Sequence, residues 1–144
     1  MEKKEIIKML SFHQPIDIQQ KGIKNALLQK DLHFLLFYAE DIEYAENCAK
    51  VFTSLNYSEI KIYLDDLFDW IEDLNTPGAI VIFDYLINCP GSILYNSFHK
   101  ALLTSLKRKS KQMYDNLSLL FKQNTELQTI LKKNDAELYQ MLIN

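Results

Sequence analysis

Glycine, proline and cysteine are scarce in this chain of 144 residues, which holds 3, 3 and 2 of them and a single tryptophan. Three glycines leave little material for phosphate-cradling loops, two-residue hairpins or strained nucleophile turns, since each uses positive φ or close backbone approach. GxGxxG, GxxxxGK(S/T) and GxSxG are absent. The two cysteines, Cys48 and Cys89, lie 41 residues apart without a CxxC pair, so they read as buried thiols of a reducing compartment rather than as a zinc or redox site. His13, His33 and His99 fall in three separate segments outside HExxH or ExxH spacing, and no carboxylates follow the DxDxDG calcium-loop pattern. No metal, no cofactor and no catalytic residue is therefore expected.

Long hydrophobic runs are also lacking. Ala79 to Phe83 is an uninterrupted apolar stretch, far short of the roughly 20 residues of a membrane span. The start, MEKKEIIKMLSF, has no adequate secretory core and no small-residue cleavage site, so a cytoplasmic location without membrane contact is expected. What is present is 48% hydrophobic and 24% charged sequence, the composition of one ordinary domain over 1–144. Size scaling gives a folded surface of about 7,700 Å² against about 24,500 Å² unfolded, enough burial to fold without staples.

Apolar spacing predicts an all-α chain. Residues 2–12 form a short amphipathic helix, and Pro15 opens a second whose stripe is Ile16, Gln19, Ile23, Ala26 and Leu27. Gly22, inside that helix, costs about 1 kcal/mol relative to alanine and marks a close approach by a neighbouring helix. Asp31 caps Leu32 to Tyr38, which reads equally as helical turns or a buried strand. A helix over 43–55 follows, and Ser58 caps another through Asp73 with the stripe Ile60, Leu64, Leu67, Ile71 and Leu74. Asn75-Thr76-Pro77 restarts a nearly all-apolar helix over 78–87, expected to be the most buried. After the turn Asn88-Cys89-Pro90-Gly91, Ser92 caps residues that run to 122 as one helix or as two joined at the lysines. Thr125-Glu126-Leu127-Gln128 has capping-box form and opens a closing helix over 124–144. Seven to nine short helices on short turns describe stacked antiparallel hairpins, with no fixed repeat period.

Charge is uneven. Residues 34–75 hold 2 lysines against 10 acids, while the segments before and after carry 6 lysines against 4 acids and 8 basic residues against 5 acids, so the net charge of −3 hides a strongly acidic centre. On a helical wheel Asp65, Asp66, Asp69, Glu72 and Asp73 share roughly 120° of arc at about 100° per residue. Like charges at i, i+3 and i, i+4 cost a few tenths of a kcal/mol each, so stability alone does not select this stripe. It reads either as a solvated face or as a docking surface for a basic partner. Ile62 falls inside the arc and Trp70 on its edge, the pattern of apolar anchors ringed by charge, although a rim packing role for Trp70 fits equally. The run Lys107-Arg108-Lys109, with Lys100 and Lys111 near it, has one arginine and no alternating aromatics, which argues against nucleic-acid reading. It reads as a solvated helix face or as a match for the acidic centre of another copy.

Three segments, residues 14–23 (QPIDIQQKGI), 47–51 (NCAKV) and above all 67–79 (LFDWIEDLNTPGA), resemble a family of uncharacterised bacterial domains with HEAT-like helical hairpins, of unknown function and akin to immunity proteins of toxin systems. The likeness covers about residues 14–88, and more faintly Met113 to Leu120. Thr76 stands where that family usually has a second tryptophan; if that tryptophan serves a shared site the site is altered here, and if it serves packing Thr76 merely caps the next helix. The resemblance implies a HEAT-like right-handed superhelix and brings no catalytic residues. Together with the acidic stripe it implies a non-enzymatic, cytoplasmic protein-binding domain, an immunity protein that occludes the basic surface of a toxin domain through Ile62, Asp65, Asp66, Asp69, Trp70, Glu72 and Asp73. The alternatives are a helical scaffold or adaptor, and a small enzyme or ligand binder, for which a pocket of converging carboxylates would be the sign.

Overall fold

The computed structural model describes residues 1–144 and contains helices but no strand. In chain order these are α1 (Lys3–Met9), α2 (Ile16–Leu27), α3 (His33–Leu36), α4 (Ala45–Phe52), α5 (Tyr57–Ile60), a 3-10 turn (Lys61–Tyr63), α6 (Leu64–Trp70), α7 (Ala79–Ile87), α8 (Gly91–Arg108), α9 (Lys111–Lys122), α10 (Thr125–Asn134) and α11 (Ala136–Ile143). There are more helices than the apolar spacing predicts, because two stretches that read as continuous break locally and the one left open between one helix and two is two. The residues after Ser58 pass through the 3-10 turn and stop at Trp70 instead of running to Asp73. The stretch 92–122 is two helices, divided where Lys109 takes φ 55° and Ser110 caps α9 by accepting from the Met113 N–H. The closing helix is also two, parted at Asp135, whose carboxylate accepts from the Leu138 N–H. Leu32 to Tyr38, open between helix and strand, forms the single helical turn of α3.

Caps shift by one or two residues from the expected ones. Asn56, not Ser58, caps α5 in a reciprocal box with Glu59; Asn124, not Thr125, caps α10; and Pro90, not Ser92, precedes α8. At Gly78 the local logic differs more. It sits at φ +84° as the N-cap of α7, and a Cβ there would lie 2.7 Å from the Ala45 carbonyl oxygen, so glycine serves both the left-handed turn and the seating of α7 on α4. Gly22 behaves as expected: an added Cβ would stand 2.8 Å from the Cβ of Met9, which places α1 directly against α2.

Neighbouring elements pack in a chain of pairs: α1 on α2, α2 on α4, α4 on α7, α6 on α8, and α8 on both α9 and α10, with α11 closing on α10. One apolar cluster runs from Ile6 in α1 to Leu142 in α11. The most enclosed rings, Phe52, Phe68, Phe98 and Phe121, come from α4, α6, α8 and α9, and Phe98 meets Phe68 edge-on and Phe121 stacked. The core therefore centres on the α6–α8–α9 contact. The nearly all-apolar α7 is not the most buried helix, since Ile80 and Asp84 face solvent. The solvent-accessible surface is 8246 Å², a little above the size expectation, in keeping with the grooves described below. Both thiols are free and buried, and burial pushes Cys48 up to about 12 and Cys89 up to about 11.

Candidate functional site

Leu64, Leu67 and Phe68 bury one side of α6 and fix its orientation, which leaves Asp65, Asp66 and Asp69 on the outside. The turn after the helix is held by side chains from elsewhere. Asn116 of α9 donates from Nδ2 to the Ile71 and Glu72 carbonyls at 3.1 and 2.8 Å, and the Thr76 hydroxyl donates to the Asp73 carbonyl at 2.8 Å. The Ser110 hydroxyl donates to the Glu72 carboxylate at 3.2 Å, and the Asp73 carboxylate accepts from the Asn75 N–H. Glu72 and Asp73 are thus positioned by a pinned turn and not, as the helical wheel has it, by continuation of the helix.

Between this turn and the segment after α3 lies an open groove of about 420 Å³. Five carboxylates line it: Asp66, Asp69, Glu72 and Asp73, joined by Glu40 from the far side. No Lys, Arg or His lines the groove; Phe37 and Trp70 are its aromatic residues. Trp70 is 7% exposed, packed edge-on to Phe52, and its indole N–H finds no acceptor in the protein. It is a wall of the groove packed on a neighbouring helix, the rim role among the two that its place on the wheel leaves open.

Two other expected members lie elsewhere. Ile62 is 66% exposed on the 3-10 turn and does not line the groove. Asp65 faces α8, where its carboxylate accepts from the Lys100 ammonium at 2.9 Å. It borders a smaller pocket of about 160 Å³, with Lys100 and Arg108 among the lining residues. The two hollows share Asp69 as a common wall.

The electrostatics follow this division. The hydrogen bond from Lys100, supported by Ser97, holds the Asp65 carboxyl below its ordinary value. Asp69 is pushed above its own, first by partial burial and then by Asp66, with Glu72 and Asp65 adding to it and Arg108 opposing. A cation entering the groove would relieve this repulsion. No cluster of three or more His, Cys, Asp and Glu side chains has the closeness of a metal site. His99 instead bonds Asp135 at 3.0 Å and His33 bonds Asp31, and none of these four residues lines the groove.

Glu40 and Phe37 escape the sequence reading. Glu40 belongs to the acidic segment but not to any periodic stripe, and Phe37 reads there as part of an apolar segment of helical turns or a buried strand, whereas it is 85% exposed.

Compared with protein families, with curated proteins and with solved structures, the chain finds no match. No helix is long and apolar enough to cross a membrane.

Proposed function

We propose that this chain is a non-enzymatic protein-binding domain that receives the basic surface of another protein in the acidic groove, and that it acts as an immunity protein covering such a surface on a toxin domain. One observation carries the reading: five carboxylates from two separate segments converge on one groove with no basic residue among its lining. Such a surface gains most from association, because each incoming cation removes repulsion as well as adding attraction, and it steers a basic partner at long range. The pairwise packing of short helices is compatible with a HEAT-like stack of hairpins, which would present such a groove on one face. Two free, buried cysteines fit a cytoplasmic setting.

The test is affinity capture from the native cells with the wild-type protein and with the double variant Asp66→Lys/Asp69→Lys, at low and high salt. Both positions are exposed, so the variant keeps its fold, as a melting curve would verify. A basic protein held by the wild type, released by salt and lost from the variant is the expected result; capture of the same protein by both excludes the groove. Growth arrest when that protein is produced alone, relieved by this chain, separates immunity from a scaffold or adaptor role.

Converging carboxylates are also the sign set out for a ligand binder. Asp69, raised beside ionised neighbours, would suit a small polycation. Saturable binding of spermidine that is tighter than binding of any basic peptide would favour that reading over the protein partner.

A further inference from the structure

Phe37 closes α3 and is 85% exposed, the most solvent-facing of the large apolar side chains. Its one aromatic neighbour is Tyr38, met edge-on at 5.3 Å. It lines the acidic groove, and it also lines a second hollow of about 400 Å³ formed with Ile7, Phe34 and Tyr38. That second hollow mixes apolar and basic lining: Lys3 and Lys4 join the apolar residues, and the Lys3 ammonium lies over the Phe34 ring, 5.2 Å from its centre. Phe37 is therefore a ridge between two grooves of opposite character.

We infer that the partner presents a single mixed segment that straddles Phe37, with a lysine or arginine in the acidic groove and a bulky apolar side chain in the hollow of Ile7, Phe34 and Tyr38. This rests on the groove being a docking site for a basic partner, and it adds which segment of that partner is read. Charge complementarity chooses the occupant and its direction. A uniformly basic segment would be welcomed by the five carboxylates and turned away by Lys3 and Lys4. An anionic lipid surface would meet the reverse, attracted at the lysines and repelled across the ridge. A segment that is cationic at one end and apolar at the other satisfies the five carboxylates and the surface of Ile7, Phe34 and Tyr38 together, and its apolar end covers the ring that the fold leaves in water.

The single tryptophan, Trp70, lines the acidic groove, so its fluorescence reports binding without a label. Three tryptophan-free probes suffice: an oligolysine, a peptide of equal length with arginines in one half and leucines in the other, and phosphatidylglycerol vesicles. The mixed peptide is expected to bind about tenfold more tightly than oligolysine. Phe37→Ala, at a side chain with almost no packing to lose, should erase most of that advantage, and because Phe37 also borders the acidic groove it should weaken oligolysine only slightly, well short of the mixed peptide's tenfold loss. Asp66→Lys/Asp69→Lys should abolish both. Equal affinities for the two peptides, a mixed-peptide affinity that Phe37→Ala leaves untouched, or Phe37-dependent binding to vesicles in place of peptide would overturn the inference. If the double variant still lost oligolysine in those cases, the acidic groove would stand as a docking site while the mixed segment fell. Binding of neither peptide, or full binding by the double variant, would overturn both.

Discussion

On the flank of α6 that faces α8, Asp65 meets Lys100 at 2.9 Å; on the flank that faces the α3 segment, Asp66, Asp69, Glu72, Asp73 and Glu40 line a groove with no cation in its walls. The residue type is the same on both flanks, so the difference comes from what packs nearby. A long helix, α8, brings its basic face to one side, where the charge is spent inside the fold. The other side faces a loop that adds a further carboxylate instead of answering those present. Internal ion pairs at the surface are worth little, so the paired flank needs no special upkeep. The open flank does, because repulsion works to spread it, and the hydrogen bonds from Asn116, Ser110 and Thr76 hold its turn in place.

The largest effect is expected from removing that hold. Asn116→Ala takes away both donors to the Ile71 and Glu72 carbonyls, which are partly buried, and should cost about 2 kcal/mol. A lower urea midpoint at unchanged slope would show it. The same variant should loosen the open flank and weaken oligolysine binding several-fold, while the Asp65–Lys100 pair stays as it is. Weakened stability with unaltered peptide binding would mean that the pinned turn serves the fold alone.

Smaller effects of opposite sign should follow from neutralising each flank. Asp69→Asn removes a carboxylate that its surroundings disfavour, and relief of i, i+3 and i, i+4 repulsion should raise stability by ~0.3 kcal/mol. Asp65→Asn removes one that Lys100 favours and should lower stability slightly, a loss near the limit of what a melting curve resolves. Since the screening length falls to about 3 Å in 1 M salt, the gap between the two variants should close there. Equal and same-signed changes would dissolve the distinction between the flanks.

Much of the helical content was legible because apolar spacing finds the buried positions of α6 and, in α2, Ala26 with Gly22, although Ile16 of the expected α2 stripe is 66% exposed. The breaks were not. Lys109 enters the left-handed region without a glycine to announce it, and Asp135 ends one helix while capping the next. Asparagine was the hardest residue to read. Asn47 ties α4 to the Leu10 carbonyl and to Gln19, Asn124 holds the carbonyls of Ile87 and Cys89, and Asn116 pins the α6 turn, all contacts between residues 28 to 45 positions apart. Such long-range bonds leave no periodic trace. For the same reason the wheel gathered Asp66, Asp69, Glu72 and Asp73 correctly onto one side, yet it included Asp65 and Ile62 and omitted Glu40, whose place depends on the approach of another segment.

The finest test of the two flanks is the order in which their carboxyls titrate. Asp69 is raised above 3.8 by burial and by Asp66, so as pH falls it takes up its proton before an unperturbed aspartate would, and protonation through its folded pKa relieves a strain on the fold. Asp65 is lowered below 3.8 by the Lys100 hydrogen bond. Its contribution to stability is complete above 3.8 and is lost only as pH drops through its lower folded value. Carboxyl carbon chemical shifts should therefore show Asp69 leaving its ionised form first and Asp65 well after it. Lys100→Met should raise Asp65 toward the ordinary value and move Asp69 less, because Lys100 donates directly to Asp65 and acts on Asp69 only through space. If Asp65 titrated together with Asp69 in the wild-type protein, the α8 cations would not be answering one flank alone, and the acidic groove would lose its claim to be the side left open for a partner.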